Sequence, residues 1–254
     1  METITLNKKD IYTGNLILVN KLYPLKNSRE ENKLSLVPLN HQYKDTLLEM
    51  KTANMLEHLV NDLKCDEEIV PVSGYRSYEE QKNIYVDSLE NNGKDFTEKF
   101  VAVPNHSEHQ TGLAIDLALK QDNIDFICPN FPYDGICNVF RKKALDYGFV
   151  ERYEKGKEAI TGIAHEPWHF RFVGYPHSKI MNEYGLSLEE YIDFIKQFQY
   201  ENRFKIKSGN KTIDIFYENM SSQLKTIDLP DKVCHLISGN NVDGFIITLW
   251  GNNL

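Results

Sequence analysis

The sequence predicts a mixed fold in which helices and short strands interleave and give way to a strand-rich tail, and three observations carry that expectation. Leu48, Met55, Leu56, Leu59, Val60 and Leu63 form an apolar stripe at helical spacing, whereas IVPV at 69–72 and WHFRFV at 168–173 are short β-rich runs. Two S-x-x-E capping boxes, Ser77 to Glu80 and Ser187 to Glu190, mark helix starts. Beyond Gln199 only short β-rich pieces occur, among them RFKIK, KTIDIFYEN and CHLISGNNVDGFIITLW, so hairpins are expected there.

Taken in order, NLILVN at 15–20 reads as an apolar strand and the polar stretch Asn27 to Lys33 as a loop. A helix is predicted from Tyr43 to Lys64, then a strand through Ile69, Val70 and Val72 that breaks at Gly74. Arg76 therefore falls at a strand-to-helix junction, where a rigid scaffold presents a side chain to the surface. The capping box starts a helix over 78–89, and the polar segment 103–112 leads into a strand from Leu113 to Leu119 around a single acid, Asp116. Residues 121–135 carry prolines and no period, which marks a long loop beginning beside Asp116; its Phe126, Phe131 and Tyr133 suggest a cap over any site there. A helix over 139–147 stops at Gly148, a C-cap, and Phe149 to Tyr153 is a strand. A turn over 155–162, the strand 168–173 and two short helices complete this part, the second helix carrying Tyr191, Phe194 and Ile195 on one face.

The 254 residues suit one or two units, and 41% hydrophobic with 26% charged residues is ordinary for a globular protein. A formal charge of -8 without a basic stripe argues against nucleic acid and anionic membranes as partners. The longest apolar runs, such as Phe245 to Trp250, are far below the roughly 20 residues that span a bilayer. The N-terminus shows no secretory h-region, which predicts a cytoplasmic protein. Cys65, Cys128, Cys137 and Cys234 have no C-x-x-C spacing and read as reduced, buried thiols.

The chemistry concentrates in two segments. In Ser107-Glu108-His109-Gln110-Thr111-Gly112-Leu113-Ala114-Ile115-Asp116, a loop His is followed by a strand Asp across uncrowded Gly112 and Ala114. Catalytic zinc takes three nitrogen or oxygen ligands and keeps one position open. Glu166-Pro167-Trp168-His169 offers the third ligand in His169, with Glu166 outside the metal shell as the base for water. A rival reading exists, because His165-Glu166-Pro167-Trp168-His169 also matches the helical H-E-x-x-H motif. Pro167 inside that turn and the strand-like alternation of WHFRFV argue against a helix, leaving His165 outside the metal shell. Arg76, always charged, suits stabilisation of an oxyanion.

Together these segments resemble the zinc D,D-peptidases of vancomycin resistance: the VanY carboxypeptidases, VanX dipeptidases and bifunctional VanXY enzymes. The shared pattern S-x-H-x-x-G-x-A-x-D followed by E-x-W-H is met at Ser107, His109, Gly112, Ala114, Asp116, Glu166, Trp168 and His169, and SGYRSYEEQ resembles the family's arginine segment. The resemblance runs from about Gly14 to Phe198. It implies an α+β fold, a small mainly antiparallel sheet flanked by helices as in Hedgehog signalling domains and murein endopeptidases, over residues 1–198. Residues 199–254 would form a β-rich C-terminal extension.

It further implies one Zn2+ per chain on His109, Asp116 and His169, with Glu166 as base and Arg76 on the carbonyl oxygen. Ser107 would bind substrate, Gln81 and Trp168 would line the pocket, and the substrates would be peptidoglycan precursor peptides ending in D-Ala-D-Ala. In the dipeptidases an Asp that pairs with the dipeptide's ammonium stands three residues before the arginine; here that substrate-facing position is Ser73. The expectation is therefore a D,D-carboxypeptidase acting on cytoplasmic muramyl-pentapeptide precursors, with weaker recognition of the free dipeptide, like the bifunctional soluble enzymes. The alternatives are a murein L,D-endopeptidase and a zinc-binding module without catalysis.

Overall fold

The structure is a computed structural model and describes residues 1–26, 35–209 and 211–251. The loop expected over Asn27–Lys33 lies outside the described residues. In chain order the strands are β1 (Glu2–Asn7), β2 (Leu36–Pro38), β3 (Leu47–Glu49), β4 (Ile69–Ser73), β5 (Ala114–Leu119), β6 (Phe149–Tyr153), β7 (Glu166–Phe172), β8 (Phe204–Ser208), β9 (Lys211–Asn219), β10 (Leu224–Leu229), β11 (Cys234–Gly239) and β12 (Gly244–Gly251). The helices are α1 (Met50–Leu63), α2 (Tyr78–Asn92), α3 (Lys94–Phe100), α4 (Gly135–Ala144), α5 (Glu158–Thr161), α6 (His177–Tyr184) and α7 (Leu188–Ile195). The fold is α+β, and the chain divides into two compact units, Val19–Ser187 and the combination of Met1–Leu18 with Leu188–Leu254.

In the unit Val19–Ser187 a four-stranded antiparallel sheet runs β4-β5-β7-β6. Its register places Ser73 opposite Asp116 and Asp116 opposite His169. Directly opposed residues project from the same face, so three strands deliver one polar row. Pro71 is tolerated because β4 is an edge strand, and the register shifts between Pro71 and Ser73. A second shift falls between Glu151, paired with Phe170, and Tyr153, paired with Glu166. Glu166 and His169 are three apart and would face opposite ways on a regular strand; the bulge turns both to one side.

Leu56 and Leu59 of α1, Phe140 of α4 and Phe170 of β7 belong to the buried core. Phe131, from the 121–135 loop, meets Phe140 and Phe170 edge-on with centroids 5.8 and 5.2 Å away, anchoring the loop in that core. The capping box of α2 forms in both directions: Ser77 Oγ accepts from Glu80 N, and the Glu80 carboxylate accepts from Ser77 N.

The other unit pairs β1 with β10 and builds an antiparallel sheet in the order β11-β12-β9-β8. Leu6, Ile11, Phe216, Met220, Leu229, Phe245, Ile247 and Leu249 pack as its core.

Several expectations require correction. NLILVN at 15–20 is buried but irregular: Leu16 N donates to Ser238 Oγ and Leu18 N to the Asn240 carbonyl, so isolated bonds replace a strand ladder. The first helix starts at Met50 instead of Tyr43, because Leu47–Glu49 pair with β2 and the Glu49 carboxylate caps the helix at Thr52 N. Helix α3 was not anticipated, and the turn at 155–162 contains the single-turn helix α5. Of the four thiols only Cys65 and Cys137 are buried; Cys234 is exposed on β11.

His177 of α6 is fully buried, and burial, reinforced by Lys51, pushes its imidazole pKa down to about 3. An unfolded chain binds that proton near pH 6.5, so the group's stabilisation is complete above about 6.5 and is lost as pH falls towards 3. Thermal unfolding between pH 7 and 5 is expected to show a loss of at most about 1.4 kcal/mol per pH unit from this residue below its unfolded pKa. That slope should shrink in His177→Gln; an unchanged slope would remove His177 from the account.

Candidate metal centre

His109 sits in a 3-10 turn, Glu108–Thr111, that ends at Gly112 in the left-handed region with φ 71°. A Cβ at Gly112 would lie 2.9 Å from the Glu49 backbone nitrogen, which donates to the Gly112 carbonyl. Only glycine accommodates both that conformation and that approach. Gly74 plays a similar part after β4, since a Cβ there would lie 2.5 Å from the Leu47 carbonyl oxygen. The Gly74 carbonyl is 2.7 Å from His109 Nδ1 and accepts its proton, which leaves Nε2 of the neutral ring as the ligating atom.

His109, Asp116 and His169 are buried, and they can each offer one ligand atom with all three atoms within 4.8 Å of one another. Asp116 stands at the centre. Its Oδ2 lies 3.1 Å from His109 Nε2 and its Oδ1 lies 2.9 Å from His169 Nδ1. Two imidazoles and one carboxylate, converging in a buried site with an open side, match the donor set and number of a catalytic zinc centre, so the residues fit one Zn2+ per chain. Burial, with the Arg76 charge adding to it, depresses the His109 pKa. Although burial opposes ionisation of Asp116, the two histidines outweigh it and hold the carboxyl well below its usual range. For His169, burial works against protonation, but the Asp116 and Glu108 carboxylates raise its pKa to about 9.

Glu166 is buried beside these donors, its Oε2 3.8 Å from His169 Nδ1, and burial pushes its pKa up to about 8. Arg76 has three partners: Nε donates to Ser73 Oγ at 2.8 Å, Nη1 to Gln81 Oε1 at 3.4 Å and Nη2 to Asp116 Oδ2 at 2.8 Å. Gln81 is itself fixed by donating to the Ala102 carbonyl at 2.7 Å. Ser107 and Trp168, both buried, line the same cavity with Gln81. All nine residues singled out from the sequence thus converge here, with Ser73 reaching the site through Arg76.

His165 does not join them. The segment 166–172 is strand, and His165 Nε2 instead lies 2.6 Å from Tyr133 Oη, with Glu151 Oε1 3.5 Å away. The helical H-E-x-x-H geometry is therefore absent.

Sequence reasoning missed Glu108, whose carboxylate is fully buried under His169 against Arg152 and Arg171. The available signal was an arginine inside each of two apolar strands, FVERY and HFRFV. It also missed Tyr153, whose ring centroid lies 4.8 Å from that of His169, and Ile163 in the cavity wall.

His109→Ala and Asp116→Ala are expected to lose bound zinc after dialysis, and His165→Ala to retain it; metal analysis showing the reverse would restore the helical ligand set.

The sequence profile of the VanY family, D-alanyl-D-alanine carboxypeptidase, matches residues 45–175, which include every donor described above. The chain is 43% identical over 183 residues to the bifunctional D-Ala-D-Ala dipeptidase and D-Ala-D-Ala carboxypeptidase VanXYC of Enterococcus gallinarum, covering 72% of this chain and 95% of that one. It is 30% identical to a D-alanyl-D-alanine carboxypeptidase of Enterococcus faecium over 97% of this chain and 78% of the relative. The crystal structure of the vancomycin resistance D,D-dipeptidase VanXYg in complex with a D-Ala-D-Ala phosphinate analog superposes with a TM-score of 0.95 at 52% identity, covering 98% of this chain and 99% of the other. By profile, sequence and structure, the chain belongs to the VanY family of zinc D,D-peptidases and stands close to its VanXY type.

Proposed function

We propose that this protein is a zinc D,D-carboxypeptidase that removes the terminal D-Ala from muramyl-pentapeptide precursors, acts more weakly on the D-Ala-D-Ala dipeptide, and thereby contributes to vancomycin resistance. The observation that carries the reading is the placement of Glu166 and Arg76 beside three buried donors in one cavity. His109, Asp116 and His169 would hold the zinc. When bound, zinc supplies Lewis acidity to the scissile carbonyl and lowers the pKa of water.

The remaining work falls to side chains of the chain itself. Glu166 takes a proton from the attacking water as the new C–O bond forms, then gives it to the amine that leaves when the C–N bond breaks. Burial raises its pKa, which favours the protonated form that hands the proton to the leaving amine. Arg76, held by Ser73, Gln81 and Asp116, directs positive charge towards the carbonyl oxygen as it becomes anionic. Ser107 would bind the peptide, and Trp168 and Gln81 shape the wall.

Ser73 bears on substrate length. Its hydroxyl is engaged in holding Arg76 and carries no charge to pair with a free ammonium, whereas a pentapeptide has none at that position. The cavity at the donors has Phe126 and Ile127 of the 121–135 loop as part of its wall. We propose that this loop caps the pocket and sets how long a substrate fits. We propose residues 1–198 as the catalytic domain and 199–254 as an accessory extension; within the former, the compact unit Val19–Ser187 carries all the donors. We further propose that the protein acts in the cytoplasm, which cell fractionation can test.

Incubated with a pentapeptide precursor, the dipeptide and L-Ala-D-Glu peptides, the zinc-loaded protein should release free D-Ala; cleavage confined to L-Ala-D-Glu bonds would make it an endopeptidase. Glu166→Gln should lower kcat by about 10²–10⁴-fold while zinc content stays unchanged. Unaltered turnover would exclude Glu166 as the base. Ser73→Asp should raise the ratio of dipeptide to pentapeptide kcat/KM, and shortening the loop should change it too. A ratio that neither change moves would remove both residue and loop from substrate selection.

A further inference from the structure

We infer that Glu108 is a positioning residue for the metal centre: its carboxylate orients the imidazole of His169 from the side away from the donors, and Arg152 and Arg171 hold that carboxylate in place. This rests on the three-donor reading of the site, which wild-type zinc stoichiometry tests separately.

The two ring nitrogens of His169 face different carboxylates. Nδ1 lies 2.9 Å from Asp116 Oδ1 and 3.8 Å from Glu166 Oε2, on the side where the three donors converge. Nε2 lies 3.4 Å from Glu108 Oε2. With Nδ1 committed to the metal side, Nε2 carries the proton and donates it to Glu108. A carboxylate behind a ligating histidine fixes the ring's tautomer and orientation and makes it a more basic ligand. His109 differs, because its outer nitrogen meets the neutral Gly74 carbonyl. The two histidines are therefore supported differently, His169 by a charged acceptor and His109 by a neutral one.

Glu108 could not act alone. Its side chain has no exposure to solvent, and an unpaired carboxylate at such depth is strongly unfavourable. Arg152 Nε lies 2.9 Å and Arg171 Nη1 2.8 Å from the same oxygen, Oε1, and both guanidinium side chains are also fully buried. Both of these contacts fall on Oε1, while Oε2 faces His169. The sheet prepares this arrangement. Arg171 follows His169 by two residues and shares its face of β7, and its partner across the ladder is Ala114, whose methyl leaves room for the long side chain. Glu108 itself is fixed by the 3-10 turn that delivers His109, so one turn of chain supplies a metal ligand and the support of another.

Glu108→Gln keeps the shape and an accepting oxygen but removes the charge. In the folded variant, zinc affinity measured by chelator competition should weaken by about 10–100-fold. The His169 Nε2–H resonance of the zinc-loaded protein should move upfield and exchange faster than in the wild type. Should the single variant fail to fold against two buried arginines, Glu108→Gln combined with Arg171→Met removes one charge of each sign and is read in the same way. A lowered Tm with zinc affinity within twofold of wild type and an unmoved His169 resonance would overturn the proposal, leaving Glu108 a structural ion-pair partner only.

Discussion

The pairing of Asp116 with His169 across β5 and β7 is the constraint on which the site depends. Backbone hydrogen bonds of the ladder set the spacing of these two side chains, so the sheet assembles two of the three donors from residues more than fifty positions apart. The opposite neighbour of Asp116 is Ser73, and Ser73 holds Arg76. His109 is added by a turn whose carbonyl also accepts from Arg76 N. A slip of one residue between β5 and β7 would turn the whole row to the other face.

Such a concentration of buried charge is tolerable because each charge is answered locally. Asp116 contacts Arg76 and both histidines, and Glu108 contacts Arg152, Arg171 and His169. Glu166 is the exception. Burial raises its pKa to about 8, and the repulsion from Asp116 and Glu108 acts in the same direction. A perturbed carboxyl beside well-compensated ones fits the proposed role of Glu166 in proton transfer.

Much of this was legible in the sequence, for reasons that differ between elements. Spacing in S-x-H-x-x-G-x-A-x-D and E-x-W-H encodes which residues can meet, and Pro167 correctly excluded a helix there. The capping box at Ser77 and the C-cap at Gly148 are local backbone chemistry and were read directly. NLILVN looked like a strand because burial and strand pairing leave the same apolar mark, yet its backbone groups find isolated partners. The register shift in β7 and the Glu108 cluster were hidden, since both arise from contacts between segments distant in sequence. An arginine in an apolar strand announces a buried acid without saying which one.

If strand register builds the site, the donors are already arranged before metal binds. Amide hydrogen exchange on the metal-free protein tests this most directly. The account predicts that Asp116, His169 and Phe170 are protected in the apo protein to within a few-fold of the zinc-loaded form, as expected for a paired sheet interior. Protection of β5 and β7 that arises only when zinc is added would contradict it, and would mean that the metal organises the sheet.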